Sequence, residues 1–93
     1  MYNRLDHWNK FQDQVTKHIE QYTLKQYGSE EGAEQVDSFT TEDCWTNMQR
    51  YYNRRNFNAR GNKEKLRDVI KVAHYAQFIY DKLKLELGEE NVY

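Results

Sequence analysis

The apolar residues of this 93-residue chain recur at spacings of three and four, and no proline interrupts them anywhere. Leu5, Trp8, Phe11, Val15, Ile19 and Tyr22 follow this rule first, which places all six on one stripe of an α-helix. A chain with this periodicity and so few helix breakers points to an all-α fold. The spacing predicts a first helix over residues 3–27, with Gly28 as the left-handed residue that ends it.

From Gly28 to Thr40 the periodicity lapses. The sequence from Thr40 to Asp43 then has the form of a capping box, with Asp in place of Glu, and Phe39 is placed to staple onto Cys44. Cys44, Trp45, Met48, Tyr51 and Tyr52 form the apolar stripe of a second helix, predicted over 41–56, while Asn47, Gln49, Arg50, Asn53 and Arg54 face away. Residues 58–62 read as a tight connection, and Asn62 is the expected N-cap of a third helix over 62–87. Leu66, Val69, Ala73, Ala76, Tyr80, Leu83 and Leu87 are its main stripe, widened by Val72 and Ile79, and Gly88 ends it. The pattern predicts an antiparallel three-helix bundle forming one domain over residues 1–88, an acidic loop between helices one and two, and a frayed tail over 89–93.

Leu, Ile, Val and Phe together make up only 18 of the 93 residues, yet 8 Tyr and 2 Trp add the aromatic area that a disordered chain lacks. No run approaches a membrane span, and the N-terminus lacks the apolar stretch of a signal peptide, so a cytoplasmic protein is expected. Cys44 is the single cysteine, which excludes an internal disulfide and a cysteine-rich zinc site; its place beside Trp45 reads as a small core residue. His7 and His18 lie some 16 Å apart along a helix and cannot share one metal. His74 falls between stripes and reads as a boundary histidine with a hydrogen-bond partner.

The net charge of −1 conceals a strong segregation. Residues 1–49 balance to −5, residues 50–71 to +6 and residues 72–93 to −2. The basic segment spans the connection between helices two and three. Arg54 and Arg55 there complement the negative end of the helix-two dipole. Lys63, Lys65 and Arg67 instead occupy the first turns of helix three, where the dipole favours anions. Cations, a glycine and unpaired backbone N–H groups at a helix start suit a phosphate. Arg50, Arg54, Arg60, Gly61, Lys63, Lys65 and Arg67 are therefore the expected phosphate or nucleic-acid site; Phe57, which falls near Arg50 and Arg54 if helix two continues that far, either stacks on a base or, as such a residue more often does, folds back over the end of the bundle. The plainer alternative is solvated surface, or pairing with the acidic stretch 30–43, which carries six carboxylates and no base.

Two further patterns give other readings. Tyr75, Phe78 and Leu85 lie off the main stripe of helix three and suggest a partner surface or a homodimer contact, or equally burial under the acidic loop. Glu30, Glu31 and Glu34 form EExxE, the first half of the magnesium signature of the all-α nucleotide pyrophosphohydrolases, which these residues resemble. That resemblance implies a Mg-dependent enzyme with Asp68 as a further ligand, although Lys65 stands where the family has Glu and Gly32 interrupts the first motif. The run from Cys44-Trp45 through Tyr51-Tyr52 and Arg54-Arg55 to the sequence around Asp68 and His74 resembles small helical proteins carried by phages and mobile elements. It covers residues 44–83 and implies an intracellular helical protein in a nucleic-acid or nucleotide setting, without supplying functional residues. The leading expectation is a non-enzymatic module without a cofactor that binds a phosphate-bearing partner.

Overall fold

The structure, a computed structural model, describes residues 2–23, 38–57 and 61–93. Every regular element among them is helical, in keeping with an all-α chain. The chain divides into two compact units, Met1–Asp37 and Ser38–Tyr93.

In the first unit, α1 spans Arg4–His18 and widens into a π-helical turn over Ile19–Thr23; the expected continuation to residue 27 and Gly28 lie outside the described residues. Its start is set by Asn3, whose Oδ1 accepts from the Asp6 backbone N–H at 3.0 Å. Two exposed ion pairs at i,i+4, Asp6 with Lys10 and Asp13 with Lys17, follow the helical repeat. No described residue of α1 is buried, and Leu5 of the expected core stripe is 74% exposed.

The second unit holds α2 (Thr41–Asn53) and α3 (Asn62–Leu87). The capping box at the start of α2 is complete. Asp43 N–H donates to Thr40 Oγ1 at 3.1 Å, and Thr40 N–H donates to Asp43 Oδ2 at 2.9 Å. Helix α2 ends at Asn53 and residues 54–56 form a turn, so it stops earlier than the expected 56. Helix α3 has the predicted bounds, but its N-cap is Gly61 at φ 81°, with no side chain capping it. Asn62 is therefore the first helical residue and not the cap. Gly88 ends α3 in the left-handed conformation at φ 65°, where it and Glu89 return N–H groups to Leu85 and Lys84 carbonyls. The tail beyond it folds back, with Lys84 Nζ donating to Asn91 Oδ1 at 2.9 Å.

The two helices run in opposite directions: Tyr51 meets Tyr75, with ring centroids 6.1 Å apart, and Arg54, which caps the end of α2, meets Asp68 earlier in α3. This pairing corrects the expected core of α3. The buried residues of α3 are Asp68, His74 and Ile79, flanked by half-buried Lys71, Tyr75, Phe78 and Lys82. The more apolar stripe is largely in the open: Leu66 is 69% exposed and Val69 55%. Trp45 and Tyr52 of α2 are likewise exposed, leaving Cys44 and Tyr51 as the buried residues of that helix.

Polar and aromatic interactions explain why the less apolar face is the packed one. Arg54 reaches Asp68 through two hydrogen bonds, and the rings of His74 and Phe78 lie 4.3 Å apart with Tyr75 edge-on to Phe78. Lys71 extends its stem along this face with Nζ 5.7 Å from the Tyr51 ring, so its charge keeps access to water while its methylenes pack.

Candidate nucleic-acid interface

The basic segment is built around the last turns of α2. Arg54 is drawn inward: its Nε donates to Asp68 Oδ2 at 2.9 Å and its NH2 to Asp68 Oδ1 at 2.6 Å. The hydrogen bond to Asp68 holds the Arg54 guanidinium further above its already high ordinary pKa. The same guanidinium lies 4.7 Å from the Tyr51 ring centroid. Arg67 pairs with Glu64 one turn earlier on α3. The segment from 50 to 71 contains two carboxylates, Glu64 and Asp68, and each holds an arginine. With those two pairs set aside, the formal +6 falls on positions 50, 55, 60, 63, 65 and 71.

Arg50, one turn before Arg54, has the opposite placement. It is exposed, with its guanidinium 5.5 Å from the Tyr51 ring. A shallow depression of about 450 Å³ opens here, lined by Thr46, Gln49, Arg50, Asn53, Arg54 and Phe57. Phe57 is 66% exposed, and its backbone N–H donates to the Arg54 carbonyl at 3.0 Å. The expected neighbourhood of Phe57, Arg50 and Arg54 is therefore present. A Phe folded over the end of the helices would be buried, and this one is not.

The other expected residues are distributed around the start of α3. Gly61 and Lys63 are exposed, Lys65 is half-buried, and Arg60 lies outside the described residues. Positions 46, 50 and 53 share one side of α2, so spacing adds Thr46 and Asn53 to the site, and Phe57, beyond the turn that ends the helix, lines the same depression. Arg55 does more than face the helix dipole. It donates to the Tyr52 carbonyl at 2.8 Å and lays its guanidinium 3.9 Å from the Tyr52 ring.

A second concavity, of about 660 Å³, lies between α2 and α3, with Trp45, Met48 and Tyr52 on one wall and Val69 and Val72 on the other. Tyr75 and Phe78, expected on one partner surface with Leu85, instead turn toward Tyr51 and His74, while Leu85 is exposed. Glu30, Glu31 and Glu34 lie outside the described residues, and both Asp68 oxygens accept from Arg54. Among the described residues no three Asp, Glu, His or Cys side chains gather as a metal site would require. Cys44 is fully buried, and burial pushes its thiol pKa up, away from the thiolate a nucleophile needs. No helix among the described residues is long and apolar enough to cross a membrane. No protein-family model matches the chain, and no curated protein or solved structure matches it.

Proposed function

We propose that the end of α2 and the start of α3 form a binding module for a phosphate-bearing polymer, single-stranded nucleic acid above all. One observation carries this reading: an exposed Phe57 just past the end of α2 lines one depression with exposed Arg50 and Asn53. An unstacked base offers a π-face to Phe57 and hydrogen-bonding edges to Asn53, while Arg50 meets the adjoining phosphate. Duplex bases are already stacked and cannot use Phe57 in this way. Exposed Lys63 and the Gly61 cap at the start of α3 add to the positive surface that the strand meets. Arg54 and Arg67 serve this surface indirectly, by removing the two carboxylates that would oppose it.

The test is fluorescence anisotropy with labelled single-stranded DNA and RNA and with a duplex, across a salt series. Single strands are expected to bind more tightly than duplex, with affinity falling steeply as salt rises because bound phosphates release counterions. Phe57→Ala is expected to weaken single-strand binding by roughly fivefold or more, the lower end of one lost stacking contact. Absence of binding at low salt, or binding indifferent to salt, overturns the reading.

A further inference from the structure

Cations from both helices of the second unit collect around the buried ring of Tyr51. The Arg54 guanidinium lies 4.7 Å from the ring centroid, that of Arg50 5.5 Å and Lys71 Nζ 5.7 Å. Asp68 answers one of these charges, because both of its carboxylate oxygens accept from Arg54. Arg50 and Lys71 make no ion pair with a described residue. A tyrosine ring attracts an exposed cation by only about 0.5–1 kcal/mol, and it does not remove the repulsion among several. Two charges therefore stand close together without a counterion, on a ring that a third cation already occupies.

This pair and the Phe57 depression lie at the same edge of the two helices. Lys71 follows Asp68 by three residues and precedes Tyr75 by four, so it shares the side of α3 that Arg54 and Tyr51 meet. The larger concavity between the helices is lined from α3 by Lys65, Asp68, Val69 and Val72, and not by Lys71. Arg50 and Arg54 both line the depression that holds Phe57. At about 450 Å³ that depression has the size of a pocket for one small molecule, whereas a groove that tracks a backbone runs past several nucleotides.

We propose that the site takes the end of a strand: a terminal phosphate monoester between Arg50 and Lys71, with the base of that nucleotide on Phe57. This rests on the nucleic-acid reading above and names the part of the strand that is bound. An internal phosphodiester carries a single charge on two unesterified oxygens. A monoester carries about −1.5 to −2 at pH 7 on three, which matches two cations that lack a counterion. The planar fork of Arg50 suits two of those oxygens, and the flexible stem of Lys71 brings its ammonium to the third. Arg54 stays committed to Asp68.

Fluorescence anisotropy of the full chain with three ten-nucleotide single strands of one sequence tests this: one with a 5′-phosphate, one with a 3′-phosphate and one with hydroxyls at both ends, each labelled away from the end compared. One of the two phosphorylated strands is expected to bind at least about tenfold more tightly than the hydroxyl strand, the equivalent of one added charge-assisted contact. Which of them it is identifies the end. Lys71→Gln should reduce that ratio below about twofold, whereas Lys63→Gln should weaken all three strands and keep the ratio. Equal binding of the three strands by the parent protein overturns the end-binding proposal and leaves the nucleic-acid reading standing, and this comparison needs no variant to fold. A ratio that survives in Lys71→Gln also overturns it. A phosphoserine peptide bound as tightly as the phosphorylated strand overturns the assignment to a strand end. Failure of all three strands to bind at low salt removes the nucleic-acid reading itself.

Discussion

Arg50, in the last turn of α2, and Arg54, the residue that caps it, are the same residue beside the same aromatic ring, yet they do different work. Arg54 turns toward α3 and is committed to Asp68 through both carboxylate oxygens. Arg50 turns outward to a depression shared with Asn53 and Phe57. The difference is a rotation of roughly 40° about the helix axis, the offset that four residues accumulate at 3.6 residues per turn. A cluster of like charges in sequence is therefore not one site. Its members are divided between holding the fold and facing solvent by where the neighbouring helix lies.

The largest expected effect lies on the Arg54 side. Replacing Arg54 with Ala leaves the Asp68 carboxylate buried without this partner, and urea denaturation should show a loss of about 2–3 kcal/mol. Arg50→Ala should stay within about 0.5 kcal/mol of the parent protein in the same measurement. Equal destabilisation by the two changes would break the comparison. In binding, the order should reverse: Arg50→Gln is expected to lower the slope of log affinity against log salt by about 1, the contribution of one phosphate contact. Thr40→Ala, at the far end of α2, removes one half of the capping box and should cost about 1 kcal/mol by thermal or urea unfolding without changing binding. That separates general weakening of α2 from loss of the exposed side.

The smallest effect concerns pH. Burial raises the Cys44 thiol pKa above its ordinary value of 9.0, so the unfolded chain ionises first as pH rises. The unfolded state then binds fewer protons than the folded one, and stability should decline above about pH 9, with the contribution intact below it. Cys44→Ala should flatten that decline in urea melts at a series of alkaline pH values, at the cost of a small cavity.

The local structure was legible because it rests on short-range chemistry. The capping box at Thr40 and Asp43, the bounds of α3 and the left-handed Gly88 are all set within one helical turn. The misread cap at Asn62 shows the limit of that scale: Gly61 reaches φ 81° without strain and takes the position that an Asn side chain would otherwise hold. The choice of face was not legible. Apolar content marked the 66–87 stripe of α3 as core; of the residues assigned to it, Ile79 is buried, but the others packed on that side are Asp68, His74 and Tyr75. Their value to the fold lies in partners supplied from α2, and no spacing within α3 reveals them. Phe57 was legible as a candidate stacking residue, but its exposure depended on where α2 stops.

From the sequence alone come the helices, the capping box of α2, the Gly88 end of α3 and the +6 segment, because helical periodicity, capping and charge depend on neighbours along the chain. The tertiary structure alone decided which side of each helix is packed, which arginine is held by a carboxylate, and which apolar stripe is left open. Those outcomes turn on pairs such as Arg54 with Asp68, fourteen residues apart in sequence, whose energy exists only once the two helices have met.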